Sequence, residues 1–200
     1  MVISVESEIY TEKIEFIELL GRILLRPRET FSLLINKPSR FLMYDVFLVY
    51  LFFTSVKIST LIVVLETING SIFPGFPSGL SFISLTLILS LVAVASLFVS
   101  SFLSHFVAKE IFKGVGNMNE LLNLYGYSSI SNVVVVALSL IAIFLPTPIN
   151  IGLIVVSYII YLLWKAILYM ISVEEVYGLD EFKAFISGVI VPSFLLVFLF

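Results

Sequence analysis

The sequence predicts an all-α integral membrane protein with five transmembrane helices, its N-terminus inside and its C-terminus outside. Three observations carry this reading. Hydrophobic residues make up 60% of the chain and mean hydropathy is +1.16. The apolar residues are gathered into five long continuous runs. Of the 11 lysines and arginines, all but Lys57 and Lys165 fall in alternate connections between those runs. A bilayer core admits only backbone whose polar groups are paired internally, which leaves helices or a closed barrel, and continuous runs select helices.

Residues 1–40 form a cytoplasmic amphipathic segment. Phe16, Ile17, Leu20, Ile23 and Leu24 share one helical face while Glu15, Glu18 and Arg22 mark another, so a helix over 14–25 is expected to lie on the inner leaflet. Pro27 suits a first helical position. Phe31, Leu34 and Ile35 then make a second stripe, which Asn36-Lys37-Pro38 stops. Arg26, Arg28, Lys37 and Arg40 would sit near lipid phosphates. The segment reads either as a platform for the membrane surface or a partner, or as a lead-in that anchors the bundle.

Residues 41–200 form the transmembrane domain, with spans at about 41–65, 80–107, 128–145, 149–171 and 184–200, each close to the length a helix needs except an overlong second. Basic residues resist translocation, so the connections that hold Lys109 and Lys113, and Lys183, lie inside with the N-terminal segment. The loop over 67–79 and the Pro146-Thr147-Pro148 turn have no lysine or arginine and lie outside. Phe73 and Phe76 are expected to dip into the outer interface. Gly152 and Gly188 are places for close helix approach, and Pro192 should kink the last helix. In the inner connection, Gly114 and Gly116 permit a tight turn, and Asn117 with Glu120 has capping spacing. A short interfacial helix over 118–125 should follow.

Composition excludes several functions. No basic stripe suited to nucleic acid exists. With no cysteine and one histidine, metal sites, thiol catalysis and disulfides are not expected. Residues 1–18 are acidic and lack an apolar core, so no cleavable signal peptide is expected. His105 and Asp45 fall near inner span ends, and no nucleophile and base, aspartate pair or H-E-x-x-H motif is present. The chain is therefore read as a non-enzyme without cofactor or metal.

Three stretches carry a family likeness: Arg26-Pro27-Arg28-Glu29-Thr30-Phe31 with Pro38 following; residues 109–128, ending in Tyr125-Gly126-Tyr127-Ser128; and Leu179-Asp180-Glu181-Phe182-Lys183-Ala184 leading to a span with Pro192. In their order and spacing the chain resembles the Yip family, the Ypt/Rab-interacting five-span membrane proteins, from Arg26 onward. Ile130-Ser131-Asn132 stands where a proline is usual, and the acidic Asp-Leu-x-Gly-Pro element of the eukaryotic members is absent. Those departures point away from small-GTPase binding and towards a remote prokaryotic member in the cell membrane. The resemblance implies a scaffold or adaptor that engages membrane lipids, a cytoplasmic or membrane protein, or a second copy of itself. Its candidate docking residues are Arg26, Pro27, Arg28, Lys109, Lys113, Gly114, Gly116, Tyr125, Gly126 and Tyr127, and the inner face also includes 173–183.

Lys57 and Lys165 remain. An ionisable residue at membrane depth is a functional hypothesis. Counted from the expected spans, Lys57 lies outward of its span's centre and Lys165 inward, so the two are not expected to share one site. Each either snorkels to an interface or lines, with Ser55, Ser59, Ser84, Ser90, Ser96 and Ser139, a path for an anion carrier or channel working as an oligomer. The serines also suit helix packing. Tyr158, Tyr161, Trp164 and Tyr169 are candidates for an interfacial belt or for helix packing.

Overall fold

Long apolar runs and well-placed stop signals become helices throughout the computed structural model, which describes residues 16–36, 43–69, 78–146 and 148–194. The expectations for Lys37, Arg40, Phe73, Phe76 and the Asp45 side chain fall outside the described residues. Helix α1 covers Phe16–Leu25 and α2 Pro27–Asn36, the second starting at the proline as expected. Helix α3 covers Met43–Asn69, and α4, Ser78–Phe106, continues into a π-helical turn over Val107–Ile111. Helix α5 (Met118–Tyr127), a 3-10 turn (Ser128–Ser131) and α6 (Asn132–Ala142) follow one another without a break. Helix α7 covers Ile149–Tyr177, α8 Glu181–Phe185, and a second π-helical turn Ile186–Ile190.

Four of these runs are long and apolar enough to cross a membrane: Val46–Val64, Ile83–Ile111, Met118–Ala142 and Ile149–Tyr177. Two expectations change. The third span starts ten residues before the expected 128, because the helix expected at the interface over 118–125 runs straight into it. Its Leu121, Leu122 and Leu124 are buried, so their apolar surface covers protein rather than lipid. The expected fifth span over 184–200 is described only to residue 194, which leaves four candidate spans among the described residues.

The α5–α6 run is the axis of the bundle. It packs against α3, α4 and α7, and 61% of its most apolar window is buried, against 17–22% for the other three. The outer helices carry apolar side chains to the outside: Ile83, Leu87, Leu91, Phe98 and Phe102 of α4 are all exposed and recur every four or seven residues. Such a stripe suits hydrocarbon rather than water. Helix α1, expected on the leaflet, instead buries Leu19 and Ile23 in the core of the bundle, while Arg22 and Glu18 pair on its exposed side at 2.7 Å.

Close approach is set by two glycines. A Cβ on Gly126 would overlap Cγ1 of Val46, and one on Gly188 would lie 3.0 Å from both the Tyr169 carbonyl oxygen and Val173 Cγ2. Small residues at membrane helix crossings have this role because dispersion contacts need short separations. Gly152 has nothing within 4 Å, so the close contact expected there does not form. Ahead of Pro192 the backbone widens into the second π-helical turn, a common way of absorbing a local break in the i→i−4 ladder.

Replacing Gly126 by valine should force α5 away from α3 and cost about 1–3 kcal/mol. The check is a lowered melting temperature in detergent, with Gly152→Val as the tolerated control.

Candidate functional site

The end of the bundle that carries the arginines and lysines is built on the last turns of α7. Gly178 caps that helix in the left-handed conformation, φ +63°, donating its N–H to the Glu174 carbonyl at 2.8 Å, a common helix ending. The connection after the first π-helical turn lies against the same turn: Gly114 donates to the Ala108 carbonyl at 2.9 Å and Val115 to the Tyr177 carbonyl at 3.2 Å. A Cβ on Gly114 would sit 2.7 Å from Tyr177 Cβ, and one on Gly116 2.7 Å from Tyr177 Cδ1. The glycines therefore permit contact, whereas the residue with positive φ is Lys113, at 58°. Asn117 caps α5, as expected, by accepting from the Asn119 N–H at 3.0 Å. His105 and the Tyr177 hydroxyl are hydrogen-bonded, which ties α4 to α7.

Arg28 locks α2 to this end. Its guanidinium donates to Glu174 Oε2 at 2.6 Å and stands 3.7 Å from Glu181 Oε1. The Glu174 side chain is only 8% exposed, and a buried carboxylate needs a charged or hydrogen-bonded partner. Asp180 caps α8 through the Lys183 N–H at 3.0 Å. The side chain and backbone N–H of Lys183 hold its carboxyl below the usual aspartate range.

The candidate docking residues divide into three groups, of which Pro27, Gly114 and Gly116 are half-buried. Arg26, Arg28, Lys109 and Lys113 keep exposed side chains. Tyr125, Gly126 and Tyr127 are buried, and Tyr125 works inside the bundle: it stacks on Tyr169 with ring centroids 3.8 Å apart and planes 3° from parallel. Its hydroxyl lies 2.8 Å from Ser104 Oγ and 3.3 Å from the Gly188 carbonyl oxygen. One side chain thus joins α4, α5, α7 and the last π-helical turn.

Towards the middle of the bundle, Lys57 and Lys165 come together, against the sequence expectation. Lys57 Nζ donates to the Tyr161 hydroxyl at 3.3 Å and lies 4.6 Å from that ring's centroid. Lys165 Nζ lies 5.7 Å from the same centroid and 5.2 Å from that of Tyr169. The depth estimate changed because α7 continues to Tyr177, well past the expected 171, which moves its midpoint towards Lys165. Among the described residues neither lysine has an ion pair. A lysine at a membrane helix centre costs about 2.5–3.5 kcal/mol on insertion scales, and a cation–π contact returns about 0.5–2 kcal/mol. Tyr161 and Tyr169 therefore serve the lysines rather than an interfacial belt. Tyr161, Lys165 and Tyr169 recur every four residues along one face of α7, a signal that could have identified the cluster beforehand. Ser55 and Ser90 bond to each other at 2.9 Å across α3 and α4, a helix-packing role. Among the described residues no group of three or more metal-ligating side chains could hold an ion.

A family model described as the Yip1 domain matches residues 21–200. The chain belongs to the Yip family. No curated protein and no solved structure matches it. In this Yip-family protein, an integral multi-pass membrane protein, the matched residues include both the Arg28–Glu174 clamp and the lysine–tyrosine cluster.

Removing the clamp tests the first of these. Arg28→Ala leaves the Glu174 carboxylate without its partner, at a cost of about 1–2 kcal/mol given the exposure of the arginine. Proteolysis within α2 should accelerate while helicity is retained, and Arg28→Lys should restore part of the protection.

Proposed function

We propose that this Yip-family protein is a non-enzymatic membrane scaffold or adaptor, with five spans, its basic end in the cytoplasm, and a protein partner docked there. One observation carries the reading. Val115 is 91% exposed, yet its backbone is held by the Tyr177 carbonyl, so an apolar side chain is presented on an anchored loop. Ile111 and Phe182 are also exposed at this end, as are Lys109, Lys113 and Lys183. Glu110 and Glu181 are exposed beside them, and fixed apolar groups among charges of both signs suit a partner surface with an apolar pocket and a charged rim. The lysine–tyrosine cluster favours a second reading, an oligomeric carrier or channel for a small solute or ion.

Photo-crosslinking residues placed in turn at Lys113 and Val115 should capture one protein species in native membranes. That capture should fall at least tenfold in a Lys109→Glu, Lys113→Glu, Phe182→Ser variant that still inserts. Recovery of lipid alone, or equal capture by the variant, would remove the adaptor reading.

A further inference from the structure

Lys57 and Lys165 reach the same level of the bundle from antiparallel helices. Lys57 is fourteen residues after the start of α3 and Lys165 twelve before the end of α7, about 21 and 18 Å of helical rise from the basic end. Both ammonium groups address the ring of Tyr161, at 4.6 and 5.7 Å from its centroid. The two nitrogens are thus no farther apart than the sum of those distances. Tyr161 accepts a hydrogen bond from Lys57 and can donate its own proton. The Tyr169 ring centroid lies 5.2 Å from the Lys165 nitrogen.

Tyrosine faces attract cations but carry no net charge, so they leave two like charges about one ring where water is scarce. The carboxylates with recorded ion pairs, Glu18, Glu29, Glu174, Asp180 and Glu181, are all on α1, α2 or the turns around the end of α7. Among the described residues, none pairs with either lysine. Two cations gathered about one tyrosine, with no described carboxylate paired to either, suit an anion.

We propose that Lys57, Lys165 and Tyr161 form an intramembrane binding site for a small monovalent inorganic anion of the halide class. Depth and charge choose the class. A lipid phosphate belongs at the interface, about 15 Å from the middle of the hydrocarbon, and dehydrating a divalent oxyanion costs far more, since solvation energy rises with the square of the charge. The site is separate from the docking surface at the basic end, and neither proposal depends on the other.

The test uses the full chain in nanodiscs of zwitterionic phosphatidylcholine, with chloride as the probe. Chloride-35 magnetic resonance should show saturable line broadening that bromide and thiocyanate displace, and Lys57→Met or Lys165→Met should weaken the affinity at least tenfold. The Tyr161→Phe variant, which keeps the ring and removes the donor, should weaken it by a smaller factor. Replacing chloride by gluconate at constant ionic strength should lower the melting temperature of the wild type but not that of the double methionine variant. This second readout on the wild type stands even if a variant fails to fold. Adding anionic phosphatidylglycerol should leave chloride affinity unchanged, whereas displacement by the lipid would assign the site to a headgroup and overturn the proposal. Absence of saturable broadening in the wild type, or equal affinity in the double variant, would overturn it as well.

Discussion

The Tyr125 hydroxyl, buried among α4, α7 and the last π-helical turn, is the contact on which the arrangement of the basic end depends. A hydroxyl taken out of water costs free energy unless it is bonded, and here Ser104 Oγ and the Gly188 carbonyl oxygen lie within reach. Those partners come from different elements, so satisfying one group sets the spacing of several helices. The ring below it lies parallel to Tyr169, which fixes the rotation of α7. That rotation turns Lys165 and Tyr161, one and two turns away on the same face, towards α3.

The two π-helical turns belong to the same arrangement. Each widens the backbone at a place where a neighbouring chain comes close: Val107–Ile111 before the loop that lies on Tyr177, and Ile186–Ile190 around Gly188. A glycine there allows backbone contact at a separation no side chain would permit. The α-helical ladder yields locally, and tertiary hydrogen bonds and packing offset the loss.

The chain keeps its charges in two separate places. At the basic end, Arg28 and Glu174 neutralise one another, and Lys183 is matched by Asp180. In the middle, two lysines share a tyrosine with no described carboxylate at either. A sequence under pressure only for stability would place apolar residues at those centres, because burying a charge in hydrocarbon is unfavourable however well the surrounding rings are placed.

Sequence alone determined the helical class, the core-facing Leu20, Ile23 and Leu24 of α1, the start of α2 at Pro27, the Asn117 cap and the family likeness. Each of these depends on local chemistry: hydropathy over a turn or a span, a fixed proline φ, a side chain reaching its own backbone. Only the tertiary structure decided that 118–125 is part of a spanning run, that Tyr125 and Tyr127 face inward, and that Gly114 and Gly116 serve contact with Tyr177. It also decided that Lys57 and Lys165 meet. Helix length and relative height are set by contacts between residues more than a hundred positions apart, such as Lys57 with Tyr161, and a one-dimensional hydropathy profile holds no record of which faces will turn towards each other.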